Sequence, residues 1–314
     1  MKVLLPDSMI LDPHLPGGVE AVVYDASSAI PDKHLDAEVL VTWAATEEWL
    51  AEHARKLTHL RLVQGLAAGP DSLLRAGFDS DVVLCTGVGL HSRMVAEHAL
   101  ALVLALVREL PKTTAAQQEH RWASELGGPR PLHPDGPVTT LLDANVLVWG
   151  FGSIAQTLAP HLTSLGAEVR GVAHQAGRRG GYEVIAVDDV DAALPETDIL
   201  IQILPSNEET RGIVGAKRLA LLGPDGYIVN VGRGVTIDND ALVDALQSGM
   251  IAGAALDVTE TEPLPKDSLL WDAQNIIITP HSAGGRPLGA DELIVKNVTA
   301  LASGGNFENK LWRH

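Results

Sequence analysis

The fold is decided by Asn145-Val146-Leu147-Val148-Trp149-Gly150-Phe151-Gly152-Ser153-Ile154-Ala155. Five residues with an apolar run predict a buried strand, two glycines a tight turn, and the residues from Ser153 onward a helix. Gly150 allows the turn and Gly152 lets backbone approach a ligand. The N–H groups of Ser153 and Ile154 then open a helix whose positive end attracts phosphate. Ala155 stands where a third glycine is often found, at a position that needs only close helix packing. Strand, glycine turn and helix in this order predict a dinucleotide site in a parallel α/β sheet.

Working outward, strand segments alternate with helical ones on both sides. After the turn, strands are predicted at Val169–Val172, Ile199–Ile203, Tyr227–Asn230, Ala252–Asp257 and Ile276–Thr279. Their near-continuous apolar character suits strands covered on both faces. Before it, Val3–Leu5, Ala21–Tyr24, Val39–Trp43, Leu60–Val63 and Val82–Cys85 read as strands, with helices at Glu47–Lys56 and Asp71–Ala76. A long helix is expected from Ser92 to Glu109, preceded by Gly87 and Gly89, which suit a hinge. Gly127 to Pro137 holds Gly127, Gly128, Pro129, Pro131, Pro134, Gly136 and Pro137, the composition of a loop, either a linker or an oligomer arm. Asp291–Leu301 is periodic enough for a helix and is expected to cross back over the first domain.

At 314 residues the chain exceeds one ordinary core, and two domains are expected. The boundaries read as 1–91 plus 284–314 for one domain and 92–283 for the dinucleotide domain. Both are expected to be doubly wound parallel-sheet α/β domains, Rossmann-type for the cofactor and flavodoxin-like for the substrate. A net charge of −17 argues against nucleic acid and anionic membranes as partners, because both require a basic face. Ala96–Leu110 is apolar but too short and too charged to span a bilayer. Met1 to Pro6 lacks the apolar run of a signal peptide. The single cysteine, Cys85, forms no intramolecular disulfide, and a cytoplasmic location is expected. No metal site is expected.

Three later segments carry chemistry. Val229-Asn230-Val231-Gly232-Arg233-Gly234, Leu256-Asp257-Val258-Thr259-Glu260-Thr261-Glu262-Pro263-Leu264-Pro265 and Ile278-Thr279-Pro280-His281-Ser282-Ala283-Gly284-Gly285 follow strand ends. They offer an arginine for a carboxylate, a histidine as proton donor and an acid to keep that histidine charged. That is the minimum set for reducing a 2-oxo acid. Glu260 and Glu262 compete for the acid role.

Cofactor choice rests on Val169 to Gln175. An NAD site normally carries an acid about 20 residues past the glycine motif, for the ribose hydroxyl. Here Ala173 and His174 occupy that stretch, with Arg178 and Arg179 beyond, and no acid before Glu183. A 2′-phosphate meets no repulsion and two potential partners. NADP is therefore favoured, with NAD as the alternative.

Together with Val95-Ala96-Glu97-His98-Ala99-Leu100 and Ala68-Gly69-Pro70-Asp71, these motifs resemble the D-2-hydroxyacid dehydrogenase family over essentially the whole chain. The resemblance implies an oxidoreductase moving a hydride between NAD(P)H and a small 2-oxo or D-2-hydroxy acid, with glyoxylate or hydroxypyruvate favoured. D-3-phosphoglycerate is the alternative substrate, and a non-enzymatic NAD(P)-sensing partner the rival class. Formate dehydrogenases share the architecture but resemble a variant with Gln in the position of Glu262. The resemblance assigns Arg233 to the substrate, Glu262 to the acid and His281 to the proton donor. It adds Ala68 and Gly69, whose backbone N–H groups would meet the substrate carboxylate. On the cofactor side it adds Val231 and Gly232, Asp257 for the carboxamide, and Leu204, Pro205 and Thr210 along the adenosine and phosphates. Trp43 is open between substrate contact and core packing, and histidines outside the motif default to surface or helix positions. The active site is expected in the cleft between the domains, and a homodimer is expected through the Ser92 helix and the arm containing Trp122.

Overall fold

The computed structural model describes residues 1–129, 131, 132 and 135–312. Arg130, His133 and Pro134, within the glycine- and proline-rich loop, and the last two residues of the predicted first domain lie outside them. The chain divides into two compact units, Met1–His91 with Gly285–His314, and Ser92–Gly284.

The first unit begins with β1 (Lys2–Pro6), β2 (Glu20–Tyr24), β3 (Val39–Thr42), α1 (Glu47–Lys56), β4 (Leu62–Gly65), α2 (Asp71–Arg75) and β5 (Val83–Cys85). All strand pairs are parallel, in the order β2-β1-β3-β4-β5. That is the flavodoxin-like doubly wound arrangement. Its strands alternate between two cores. Leu4, Leu40, Val63 and Leu84 pack with Leu50 of α1 and Leu73 of α2, whereas Val3, Leu5, Val39 and Leu62 face the opposite side. Trp43 falls just beyond β3, so the predicted strand ends one residue early.

The second unit opens with α3 (Ser92–Val107) and α4 (Leu110–Gln118). The single helix expected to Glu109 breaks because Glu109 adopts a left-handed conformation (φ 52°), and Pro111 then starts a helix that composition alone did not announce. There follow β6 (Asn145–Trp149), α5 (Ser153–Ser164), β7 (Glu168–Ala173), β8 (Gly177–Arg179), β9 (Tyr182–Ala186), α6 (Val190–Ala193), β10 (Ile199–Gln202), α7 (Ala216–Leu222), β11 (Tyr227–Asn230), α8 (Asn239–Gln247), β12 (Gly253–Leu256) and β13 (Ile276–Ile278). The sheet order is β13-β12-β11-β10-β6-β7-β9-β8, parallel except for the β8–β9 pair. With β8 set aside, this is the Rossmann arrangement with one further strand. Arg178 and Arg179 lie in the edge strand β8. Alternation along β6 sends Val146 and Val148 toward α3 and α5, and Leu147 and Trp149 toward the helices of the other face.

The last helix, α9 (Ala290–Ser303), returns to the first unit, where Ala290, Leu293, Ile294 and Val298 cover Val3, Leu5 and Val39. Its Asn297 donates to Gln64 Oε1 (2.6 Å) and accepts the Glu308 amide (2.7 Å). Among the described residues no helix is long and apolar enough to cross a membrane.

Candidate active site

In the second unit the motif residues collect where the parallel strands end, the edge at which α/β sheets bind ligands. At the end of β6, Gly150 has φ 101°, and a β-carbon there would lie 2.4 Å from the Ile203 carbonyl oxygen. Only glycine brings the turn this close to the β10 end. Gly152 differs: it is the N-cap of α5, no side chain caps the helix there, and nothing lies within 4 Å of where its β-carbon would stand. Open space thus meets the N–H groups of Ser153 and Ile154 at the positive end of a 12-residue helix. The residues present fit a dinucleotide pyrophosphate. Phe151 beside them is buried because Gly171 of β7 leaves room for its ring.

Around this turn the expected cofactor residues separate into groups. His174 lies exposed just past β7. Arg179 reaches back over the turn, its guanidinium 3.4 Å from both the Phe151 and Gln175 carbonyl oxygens. Arg178 folds onto its own hairpin, donating to Gly181 O. Leu204 is buried against Gly232, whose absent β-carbon would come 2.6 Å from Leu204 N. Val231 is also buried. Thr210 is buried, and its hydroxyl donates to Pro205 O (2.7 Å) and accepts the Asn207 amide (3.0 Å). These bonds staple the Pro205–Thr210 loop that follows β10.

Past β11 the chain is clamped around Arg233. Asn230 accepts the Gly232 amide at 3.0 Å and donates to Arg233 O at 3.0 Å, and the Thr236 hydroxyl donates to the same carbonyl at 2.7 Å. Gly234 lies against Thr259, and the Thr259 amide donates to Glu262 Oε1 (3.0 Å). The other Glu262 oxygen meets His281 Nδ1 at 2.7 Å. Glu260, the competing acid, pairs with Arg211 instead (3.5 Å). Of the two candidates, the fold brings Glu262 to the imidazole.

The electrostatics of the pair are reciprocal. The Glu262 hydrogen bond and charge outweigh the opposing effects of burial and of Arg233, and hold the His281 imidazole above its ordinary range. For Glu262, burial pushes the carboxyl up, but the bonds from His281 and Thr259 and the charges of His281 and Arg233 bring it below its ordinary value. Both shifts favour imidazolium beside carboxylate. With Nδ1 engaged, Nε2 is the nitrogen that carries a transferable proton. A cavity of about 620 Å³ lies beside the pair, bounded by Glu262, His281, Leu264 and Trp271.

Asp257 is buried at the end of β12 (1% exposed), and its carboxylate accepts from the Thr279 hydroxyl (2.6 Å) and the Ser282 and Ala283 amides (2.9 and 3.0 Å). Much of its hydrogen-bonding capacity holds the His281 segment. His98 of α3 joins this cluster at Thr279 Oγ1 (3.0 Å) and Asp257 Oδ1 (3.2 Å). Sequence reading gave His98 only a helix or surface default and Thr279 no role; the available signal was a histidine that, with Arg93 and Glu97, interrupts the apolar run of α3.

In the first unit, Ala68 and Gly69 occupy the turn between β4 and α2, both half-buried. Trp43 stacks on His91 (5.2 Å between ring centres, 17° between planes), and His91 Nε2 lies 2.8 Å from Leu66 O. His53 lies in α1, within the surface or helix default, whereas His91 is buried outside any helix, contrary to it. Among the described residues no group of three His, Cys, Asp or Glu side chains could hold a metal.

Known proteins resemble the chain in sequence and in fold. A family profile described as "D-isomer specific 2-hydroxyacid dehydrogenase, NAD binding domain" matches residues 100–283. Glyoxylate/hydroxypyruvate reductase A of Serratia proteamaculans is 31% identical over 283 residues, covering 87% of this chain and 86% of that protein. D-3-phosphoglycerate dehydrogenase of Mycobacterium tuberculosis is 33% identical over 81% of this chain but only 46% of its own length. A D-isomer specific 2-hydroxyacid dehydrogenase of Xanthobacter autotrophicus, crystallised with NADPH and MES, superposes with a TM-score of 0.80 at 29% identity, covering 99% of this chain and 97% of that one.

Proposed function

Because the chain belongs to the D-isomer-specific 2-hydroxyacid dehydrogenase family, we propose that it reduces a small 2-oxo acid to the D-2-hydroxy acid with NADPH, glyoxylate and hydroxypyruvate being the favoured substrates. The 2.7 Å contact between His281 Nδ1 and Glu262 Oε2, at the end of the sheet that carries the glycine turn, is the observation on which the reading rests.

The residues divide the work as follows. Arg233 binds the substrate carboxylate through its planar guanidinium. The backbone N–H groups of Ala68 and Gly69 are assigned to the same carboxylate. Once bound, the nicotinamide supplies a hydride to the carbonyl carbon. His281 gives the Nε2 proton to the carbonyl oxygen as charge builds there, and Glu262 stabilises the imidazolium beforehand and orients the ring. One hydride and one proton convert the carbonyl to the alcohol, and the histidine recovers its proton from solvent. Gly150, Gly152, Ser153 and Ile154 take the pyrophosphate, and Val231, Gly232, Leu204 and Pro205 line the dinucleotide. Asp257 is assigned to the carboxamide, and His174 and Arg178 to the edge of the ribose site.

The preference for NADPH is supported by the missing acid after β7, by Arg179 over the turn, and by the NADPH complex of the Xanthobacter relative. D-3-phosphoglycerate is the second substrate reading, supported by the identity to the mycobacterial dehydrogenase. A homodimer belongs to the same proposal, supported by a Trp122 side chain that is 91% exposed, and sedimentation tests it. A cytoplasmic location is supported by the lone, buried Cys85.

The decisive experiment follows NADPH oxidation with glyoxylate, hydroxypyruvate and 3-phosphohydroxypyruvate. Turnover of the first two is expected, and His281→Ala abolishes it while NADPH still binds. Wild-type-like turnover in that variant would remove the proton-donor role.

A further inference from the structure

We infer that His98 is a positioning residue for His281, acting through Thr279 and Asp257. The inference rests on the reading of His281 as proton donor.

His281 sits in a left-handed backbone conformation (φ 50°), which side-chain-bearing residues adopt only when their surroundings hold them there. Those surroundings are visible bond by bond. The His281 amide donates to Asp257 O (2.8 Å) and Thr279 O (3.0 Å). The next two amides, of Ser282 and Ala283, go to the two oxygens of the Asp257 carboxylate. The Thr279 hydroxyl donates to Asp257 Oδ1. Three consecutive amides and one hydroxyl therefore converge on one buried residue.

Asp257 and Thr279 both lie just past the ends of their strands, β12 and β13. His98 meets both from α3, 181 positions before Thr279 in the chain. Because Thr279 Oγ1 spends its proton on Asp257, the His98 contact is a donation from Nε2 to Thr279 Oγ1, with Asp257 Oδ1 within 3.2 Å of the same nitrogen. The donor fixes the direction of the threonine hydroxyl and the Asp257 carboxylate. The carboxylate then fixes the segment that presents the imidazole. Loss of the donor leaves the Thr279 hydroxyl held by Asp257 alone and removes the α3 contact from both anchors under His281. Small displacements of a reacting group are expensive in rate.

The test compares His98→Leu, which removes the donor, with His98→Gln, whose side-chain amide restores one at similar reach. Thr279→Val is an independent cut of the same chain should His98→Leu fold poorly. The expected result is a roughly 10- to 100-fold fall in kcat for His98→Leu and Thr279→Val, with KM for glyoxylate changed less than about 3-fold, and recovery of most of kcat in His98→Gln. Amide hydrogen exchange is measured in parallel at His281, Ser282 and Ala283, and is expected to accelerate about 10-fold or more in the two disruptive variants. Unchanged exchange in both, or a glutamine variant no better than the leucine one, overturns the inference. The exchange measurement needs no turnover, so an inactive wild-type protein would count against the proposed function while leaving this positioning role to be decided separately.

Discussion

Gly234 lies so close to Thr259 that a β-carbon on the glycine would fall 1.9 Å from the threonine carbonyl carbon. This contact joins the loop carrying Arg233 to the loop carrying Glu262, since Thr259 also donates its amide to Glu262. Arginine and acid are held in register by the absence of one methyl group. Gly234→Ala is expected to force the two loops apart, lowering kcat/KM for the 2-oxo acid by about 100-fold and the unfolding free energy by about 1–3 kcal/mol. Steady-state kinetics and thermal unfolding check it, and near-normal values for both would mean that the loops adjust independently.

The reciprocal shifts of His281 and Glu262 fix a pH dependence. The imidazole is held above its ordinary value near 6.5, so reduction, which needs the protonated ring, persists above that pH and declines only as pH passes the raised value. Glu262→Gln is expected to move this alkaline limb toward lower pH. Stability follows the same groups. The histidine contribution is complete below pH 6.5 and is lost as pH rises through the raised value. The glutamate contribution is present above about 4.5 and is lost as pH falls through its lowered value. Profiles of kcat/KM against pH for both forms measure the limb; coincident profiles would detach Glu262 from the imidazole.

Arg179 and Arg178 are neighbours with separate duties. Arg179→Ala is expected to raise KM for NADPH about 10-fold, equivalent to ~1.4 kcal/mol, with KM for NADH nearly unchanged. Arg178→Ala, which removes a contact internal to the hairpin, is expected to do much less. An equal effect on both cofactors in Arg179→Ala would place the arginine elsewhere in the site.

His53, fully buried in the first unit, accepts the Ile30 amide at Nε2 (3.0 Å), contacts Trp49 O through Nδ1 (2.8 Å) and stacks on the Trp49 ring at 3.8 Å. His53→Leu leaves the Ile30 N–H without its acceptor. It is expected to lower the unfolding free energy by about 1–3 kcal/mol. Urea denaturation measures the change, and a variant as stable as the parent would mean that the Ile30 amide finds another acceptor.

The sheets of both units were readable because their strands are apolar runs punctuated by glycine and proline, and β6, β11 and α1 keep the predicted limits. The β8–β9 hairpin escaped because Arg178 and Arg179 between glycines have loop composition, and only pairing with Tyr182–Val184 makes them a strand. The helix break at Glu109 escaped for a related reason: apolar periodicity runs on through a residue whose backbone alone reverses. Within the site, Arg233, Glu262 and His281 stood out as polar groups fixed by glycine or proline. Asn230, Thr236, Thr279 and His98 did not, since each is an ordinary polar residue until the fold brings its partner near. The split between Glu260 and Glu262 likewise became clear only when one carboxylate turned to Arg211 and the other to His281.

Among the described strands β8 pairs with β9 alone, and no atom lies within 4 Å of the missing β-carbon of Gly177, while that of Gly180 would meet Gln156 Oε1 at 3.3 Å. The hold of this ribbon on the rest of the unit runs through Gln156 and the Arg179 contacts to Phe151 O and Gln175 O, with no strand register of the sheet interior depending on it. Under the proposed function, coenzyme selectivity is then open to redesign by grafting a short ribbon at the sheet edge opposite the His281–Glu262 pair.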